Sequence, residues 1–374
     1  MPALVLARSL CEAGQEPLLL TEGRDVEREL VRRELPEVAS VEVPRCGRSP
    51  AALPWWITRA TSRARALLRQ HGVRGVVSTG GKASVPVALA AKSLGVPVFL
   101  LEQNAVIGRA NRWLSPLARR LYLGLPGSAE RSSRALLTGT PLRRGFGRVE
   151  RGDARRSLGL GGDAPVVLVT GGSQGARALN ELVPDALGRL GRRLQVLHLS
   201  GLGNDVLVRE RYASAGGALA AQVRPVAADM DRLFAAADLV ICRGGGTTVA
   251  ELMAVGRASL VVPYPHHKDQ QQLHNARVLE RVGAARILEE RACDADAFAA
   301  CALDLLDAPS RLTEMGDRAR ALRRLDAAAA ILADVDAVLS GDATPLPRAD
   351  VAARRAGEGA SSAERSRERQ GGAA

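Results

Sequence analysis

Short runs of aliphatic and β-branched residues alternate with longer amphipathic stretches along nearly the whole chain. A strand-sized apolar run followed by a helix-period run reads as a βα unit. Repeated units leave few architectures open: parallel sheets covered by helices on both faces. In the first half, strands are expected at 17–21, 38–43, 75–79, 97–101 and 134–138, with helices at 24–34, 55–70, 84–94 and 109–121. In the second half, strands are expected at 165–170, 194–199, 220–226, 238–242, 258–263 and 284–288. Helices there fall near 175–190, 204–215, 229–236, 247–255, 269–282 and 294–307, and 311–339 also reads as helical. The stretch 139–165, rich in Gly, Arg and Pro, reads as the connection between two domains.

The expected division is a first Rossmann-like domain over 1–147 and a second over 148–340 that includes terminal helices. Residues 341–374 lose apolar periodicity and are expected to be a disordered tail. A length of 374 residues fits two domains, and 46% hydrophobic with 25% charged residues excludes a mostly disordered, collagen-like or coiled-coil chain. No apolar run approaches the ~20 residues of a membrane helix. The start, MPALVLARSL, lacks a basic region and a cleavage site, so no signal peptide is expected. Cys11, Cys46, Cys242, Cys293 and Cys301 form no metal-ligand spacing, and their odd, scattered count fits reduced thiols in a cytoplasm.

The chain opens inside a helical pattern, PALVLARSLCEAG, with Pro2 suited to a first turn. A doubly wound domain ordinarily opens on a strand. Either a strand upstream of Met1 or an unusual build of this half is therefore expected.

Charge is unevenly spread. Residues 1–147 hold 22 Lys and Arg against 11 Asp and Glu, whereas 148–340 hold 24 against 24. An anionic partner is thus expected for the first half. Trp55 and Trp56 open a helix that carries Arg59, Arg63, Arg65 and Arg69, and Trp113 stands among Arg109, Arg112, Arg119 and Arg120. Tryptophan beside arginine on an amphipathic helix suits a membrane interface with acidic lipid. A buried tryptophan with a solvated basic face gives the same pattern. Nucleic acid is not expected, because the loops are rich in Gly and Pro rather than in interleaved aromatic and basic residues.

Several strand–glycine–helix turns could hold a ligand. VVLVTGGSQGA (166–176) runs from a strand through Gly171 to Ala176 into a helix, where backbone N–H groups and the helix start suit a diphosphate. DLVICRGGGTTVAEL (238–252) places Gly246, Thr247 and Thr248 at a helix start, with Glu251 one turn on, where a carboxylate could accept from a ribose diol. A ligand-free tight turn and a dipole-favoured acid remain open at these places. PYPHHKDQQQLHNA (263–276) crowds amides, including Gln271 and Gln272, that suit sugar hydroxyls. Its His266, His267 and His274 lack paired carboxylates, so no metal is expected. STGGKASVP (78–86) is a third such turn, LLEQNAVIGRANR (100–112) ends a strand on Glu102-Gln103-Asn104, and TGTPLRR (138–144) leaves Arg143 near the interdomain cleft.

With these residues in view, the chain resembles the MurG family, the undecaprenyldiphospho-muramoylpentapeptide β-N-acetylglucosaminyltransferases. The resemblance spans about residues 1–335. It rests on PALVLA, GG-x-x-S-x-P, EQNAV, TG-x-P-x-R, GGSQGA, the glycine turn with Thr and Glu251, and HHKDQQQLHNA, in that order. It implies a GT-B fold, two Rossmann-like doubly wound parallel-sheet domains facing a cleft. It also implies inverting transfer of N-acetylglucosamine from UDP-N-acetylglucosamine to lipid I, giving lipid II, by a peripheral protein on the cytoplasmic membrane face, without cofactor or metal. By the same resemblance, Ser173 contacts a phosphate, and Gly246, Thr247 and Thr248 hold the diphosphate. Glu251 binds ribose, backbone near Ala227 reads uracil, and Gln271 and Gln272 face the sugar. Asn104 and Arg143 reach the donor from the first domain, and Trp55, Trp56 and Trp113 face the membrane. Glu102, by its place in the EQNAV motif, is the candidate catalytic residue, and a strand-end carboxylate that only orients its neighbours stays open at that position.

Three departures stand out. The family's opening strand and GGTGGHxxPA loop are not in this chain, Lys82 replaces a usual aromatic residue, and Leu101 replaces a frequent histidine. Two other readings stay open: another GT-B enzyme such as a UDP-sugar epimerase, or a truncated chain that binds UDP-sugar or membrane without turnover.

Overall fold

The computed structural model describes residues 1–45, 53–127, 132–172, 175–216, 218–267, 269–292 and 294–342. The expected tail lies almost entirely outside them. The chain opens on α1 (Pro2–Glu12), with Pro2 in its first turn and Leu4, Leu6 and Ala7 buried. There follow β1 (Leu19–Thr21), α2 (Asp25–Glu34), β2 (Ser40–Glu42), α3 (Leu53–Gln70), β3 (Val76–Ser78) and α4 (Ser84–Ser93). The first half closes with β4 (Val98–Glu102), α5 (Arg109–Leu114), β5 (Arg120–Leu123) and β6 (Ala135–Leu137). β1 and β2 make a parallel pair, and β3-β4-β5-β6 make a second parallel sheet. The strands of this half thus form two ladders rather than one.

One expectation is corrected here. The helix expected over 109–121 stops at Leu114, passes through a 3-10 turn at Ser115–Leu117, and becomes strand β5. Pro116 has no N–H to continue the ladder. The run Arg-Leu-Tyr-Leu then pairs with β4, and Tyr122 stacks on Phe99 with ring centroids 6.3 Å apart.

The second half begins with α6 (Arg151–Ser157), which lies inside the stretch read as a connection. It continues through β7 (Val166–Thr170), α7 (Arg177–Gly188), β8 (Leu194–Leu199), α8 (Asp205–Ser214), β9 (Leu219–Arg224), α9 (Met230–Ala236) and β10 (Leu239–Cys242). Then come α10 (Gly246–Val255), β11 (Ala258–Val261), α11 (Gln271–Glu280), β12 (Ala285–Ile287), α12 (Ala295–Leu306), α13 (Pro309–Ala321) and α14 (Ala327–Ser340). The six strands form one parallel sheet in the order β12-β11-β10-β7-β8-β9. Every residue of β7, β10 and β11 is buried, as strands covered by helices on both faces must be. Each fully buried aliphatic side chain there contributes about 1.5–3 kcal/mol.

The helical stretch 311–339 is two helices, and the second does not stay with the sheet that precedes it. α14 returns to the first half. Its Ile331 packs with Leu6, Phe99, Leu101 and Tyr122. Its Asp334 accepts from the Tyr122 hydroxyl at 2.7 Å and from Arg120 Nε at 3.1 Å. No helix among the described residues is long and apolar enough to cross a membrane.

Candidate functional site

Strand order in the six-stranded sheet reverses between β7 and β10, which are hydrogen-bonded neighbours. The helices that follow these strands cover opposite faces, so a crevice opens at the strands' carboxyl ends. Both glycine turns of the second half lead out of this point. After β7, Gly172 takes φ +82° and its N–H donates to Thr170 Oγ1 at 3.3 Å, while Gly175 takes φ +70°. A Cβ on Gly175 would lie 2.2 Å from the Ser200 carbonyl oxygen. Ser173, the expected phosphate contact, lies outside the described residues.

After β10 the turn Gly244-Gly245-Gly246 leads into α10. Two of these glycines have packing reasons. A Cβ on Gly244 would strike the Gln272 carbonyl oxygen at 2.2 Å, and one on Gly246 the Gln103 carbonyl oxygen at 2.4 Å. Main chain from α11 and from the first half therefore presses on this turn. Around Gly245 the nearest atom to such a Cβ is Thr248 Oγ1 at 3.6 Å, so that side of the turn is roomier.

The first half meets this crevice with the loop after β4. Glu102 is buried, and both its oxygens are engaged. Oε1 accepts from the Asn104 backbone N–H at 3.0 Å and from Asn104 Nδ2 at 2.9 Å. Oε2 accepts from the Gly108 N–H at 2.8 Å and Asn111 Nδ2 at 3.0 Å. Four donors converge on one carboxylate, which fixes the loop 102–108 to the end of β4.

Three contacts carry the loop across to the second half. Thr247 Oγ1 donates to Gln103 Oε1 at 3.2 Å. Asn275, fully buried on α11, accepts from the Ala105 N–H at 2.8 Å and donates to Asn104 Oδ1 and the Gly244 carbonyl, each at 3.0 Å. Gln271 stands close by, its Nε2 3.8 Å from where a Gly108 Cβ would sit. Gln272 instead accepts the Tyr264 N–H at 3.0 Å, which holds the loop before α11. Gln103 and Asn275 were not singled out from sequence. Both stand inside the motifs quoted above, but their partners are far away in the chain.

A second corner gathers Arg143, Ala227 and Glu251. Arg143 Nη1 donates to the Ala228 carbonyl at 2.8 Å, next to Ala227, and Nη2 lies 3.8 Å from Glu34. Burial pushes the Glu251 carboxyl up to about 8, against the charge of Arg143, which lowers it. The structure therefore brings together Asn104, Gln271, Gly246, Thr247 and Thr248 at one part of the crevice, and Arg143, Ala227 and Glu251 at another.

Buried groups behind the turns support them. Arg243, just before Gly244, donates to the Val262 carbonyl at 3.0 Å and pairs with Glu290 at 2.5 Å. On the β7 side, Asn180 Nδ2 donates to the Ser200 carbonyl at 2.9 Å. That bond turns Asn180 Oδ1 toward His198 Nε2, at 3.0 Å, so Nε2 carries the proton and Nδ1 accepts from the Tyr212 hydroxyl at 2.9 Å. Burial lowers the His198 imidazole from 6.5 to about 3.

The three tryptophans separate. Trp55 is 65% and Trp113 72% exposed. Trp56 corrects the expectation that all three face outward. It is buried, and its Nε1 donates to the Pro44 carbonyl at 2.6 Å. The Arg59 guanidinium lies over the Trp55 ring, 5.3 Å from its centroid.

Comparison with known proteins adds to this geometry. The family model "Glycosyltransferase family 28 N-terminal domain" matches residues 1–123, and "Glycosyltransferase family 28 C-terminal domain" matches 166–331. The UDP-N-acetylglucosamine–N-acetylmuramyl-(pentapeptide) pyrophosphoryl-undecaprenol N-acetylglucosamine transferase of Sorangium cellulosum is 43% identical over 277 residues, 73% of this chain and 67% of the relative. The transferase of the same name from Stutzerimonas stutzeri is 38% identical over 337 residues, 88% of this chain and 93% of the relative. The crystal structure of Acinetobacter baumannii MurG superposes with a TM-score of 0.74 at 30% identity, covering 89% of this chain and 94% of that one.

Proposed function

The chain belongs to the MurG family within glycosyltransferase family 28, and from that premise we propose how its cleft works. The protein is a glycosyltransferase with the GT-B fold. It transfers N-acetylglucosamine from UDP-N-acetylglucosamine to lipid I and so forms lipid II. The observation that carries the reading of the site is the meeting of three parts at one crevice: the turn after β7, the turn before α10, and the first-half loop anchored by Glu102.

In this reading the donor diphosphate lies against the turns, with Ser173 on one side and Gly246, Thr247 and Thr248 at the start of α10. N–H groups and the partial positive charge of the helix start offset the charge that builds on the departing UDP. The uracil lies against backbone at Ala227, the ribose diol on Glu251, and Arg143 closes that corner. Gln271 faces the sugar, and Asn104 supports it from the first-half loop. Gln272, through its bond to the Tyr264 N–H, shapes the same wall.

The acceptor hydroxyl attacks the anomeric carbon from the face opposite the diphosphate. A carbon–oxygen bond forms, the bond to the diphosphate oxygen breaks, and configuration inverts. The hydroxyl proton must go to a base. Glu102 does not serve as that base here, because four N–H donors already occupy its two oxygens. Its place is to set the loop.

The first half is basic, and Trp55 and Trp113 present exposed rings beside arginines. We assign this face to an anionic membrane surface, which would present the lipid-linked acceptor to the cleft from the cytoplasmic side. The division into donor and acceptor domains follows the two sets of sheets, with α14 as a strap across them.

An epimerase, and a binding protein without turnover, accord less well with relatives that are named as transferases over most of their length. The test is transfer of labelled N-acetylglucosamine from UDP-N-acetylglucosamine to a lipid I analogue, with donor binding recorded on the same sample. Transfer with inversion is expected. Donor binding with no transfer would overturn the enzymatic reading, and conversion to a 2-epimer would replace it.

A further inference from the structure

We propose that Asn275 is a positioning residue that sets the first-half loop 103–108 in register with the glycine turn 244–246 of the second half. The inference deepens the transferase reading above and rests on it for its activity test only.

The polarity of the contact is determined from end to end. Glu102 Oε1 accepts from Asn104 Nδ2, so Asn104 must turn its Oδ1 the other way, toward α11. Asn275 then has to present Nδ2 to that oxygen, and the same amide nitrogen gives its second proton to the Gly244 carbonyl. That leaves Asn275 Oδ1 for the Ala105 N–H. Each side chain can meet its neighbours in one orientation only.

The partners of Asn275 are 170, 171 and 31 residues away along the chain, on two different sheets' loops. The side chain is fully buried, so any bond it fails to make leaves a polar group without water. Where it joins the turn, there is no slack. A Cβ at Gly246 would meet Asn104 Oδ1 at 3.0 Å as well as the Gln103 carbonyl. Asn275 thus touches neither diphosphate nor sugar in this reading. It holds the wall on which Asn104 and Thr247 stand.

The experiment compares the full chain with Asn275→Ala, Asn275→Asp, Asn104→Ala and the double variant Asn104→Ala/Asn275→Ala. Asn275→Asp keeps the acceptor for Ala105 but removes both donated bonds. For both Asn275 variants kcat should fall about 10- to 100-fold, the scale of a small misplacement of reacting groups. The Kd for UDP should move by less than about threefold. The double variant should lose clearly less than the product of the two single falls, because both sever the Asn275 Nδ2–Asn104 Oδ1 bond.

Amide hydrogen exchange gives a reading free of activity. Protection of the Ala105 amide should be lost in Asn275→Ala and kept in Asn275→Asp. Falls in kcat that multiply in the double variant, or an unchanged Ala105 amide in Asn275→Ala, would overturn the proposal. Full kcat with only a lower Tm would also overturn it, marking a purely structural residue. If the unaltered chain transfers nothing, the reaction assignment fails while the exchange result still decides on the contact.

Discussion

A carboxyl group moved out of water keeps its proton to a higher pH unless donors replace what the water gave. Glu251 is in that position: burial raises it to about 8, and the charges of Arg143 and the Met1 amino group hold it back from going further. A ribose diol offers two donors, and only the ionised carboxylate accepts from both without a proton in the way. Binding of the donor should therefore tighten as pH rises toward about 8 and level off above it. In the limit, Kd falls about tenfold per pH unit below that point. Calorimetric titration of UDP between pH 6.5 and 9, an interval of about two and a half units around the shifted value, should give this slope for the unaltered chain. Glu251→Gln should bind more weakly and without the slope. A flat profile together with unchanged binding by Glu251→Gln would remove Glu251 from ribose binding. His198 illustrates the opposite sign. Its buried, neutral imidazole has its value lowered to about 3 from 6.5, so the unfolded chain binds the extra proton first. Stability from this group is complete above pH 6.5 and is lost as pH falls toward 3. Denaturant unfolding in the Glu251→Gln background, which removes the opposite slope of a carboxyl raised to about 8, should show the loss between about pH 7 and about pH 5.5. His198→Gln should flatten it.

At the scale of elements, neighbouring residues on a helix point about 100° apart, so Trp55 and Trp56 cannot both face the same way. α3 buries Trp56, Ala60, Ala64, Leu67 and Leu68 as one stripe and leaves Trp55 outside with Arg59. Trp55→Ala and Trp113→Ala should weaken binding to vesicles of acidic lipid with little change in Tm. Trp56→Ala should cost about 3–5 kcal/mol of stability and act on vesicle binding only through that loss. Sedimentation with vesicles and denaturant unfolding separate the two effects, and equal vesicle binding by Trp55→Ala would count against the membrane face. The stripe runs through 56, 60 and 64 at helical intervals with charge on 59 and 63, yet the expectation from sequence places Trp56 with Trp55 on the outer face, because tryptophan beside arginine fits both a membrane face and a buried ring. The βα alternation was readable, since apolar runs buried on both faces leave a strong pattern. β5 was not. Its four residues come shortly after a helix and a 3-10 turn, and so short an apolar run fits either period until β4 pairs with it. The glycine turns could be seen from sequence, but the packing demands on Gly244 and Gly246 could not. Nor could the role of Asn275, because its Ala105 and Asn104 partners lie about 170 residues upstream.

At the scale of the molecule, the chain crosses between its two halves twice, and the second crossing ends in α14. This helix covers one face of β4 and β5 through Ile331 and anchors there through Asp334. Arg120 and Tyr122 surround that carboxylate, and both members of the ion pair are mostly buried. Burial, and next the Asp334 charge it donates to, push the Tyr122 hydroxyl up, so it stays a donor at any working pH. The first half therefore borrows part of its core from the end of the chain. Asp334→Ala removes the acceptor of two buried donors, one of them charged, and should cost about 2–3 kcal/mol. The loss should fall unevenly. Amides of β4 and β5 should lose protection in hydrogen exchange, while those of β7 and β10 keep theirs, because the six-stranded sheet does not rest on α14. Binding of UDP, which in this reading lies on the second half, should survive nearly unchanged. Transfer should fall, because the loop after β4 is fixed to the strand whose cover has loosened. Uniform loss of protection across both sheets would mean instead that the two halves unfold as one unit, with α14 as the element that couples them.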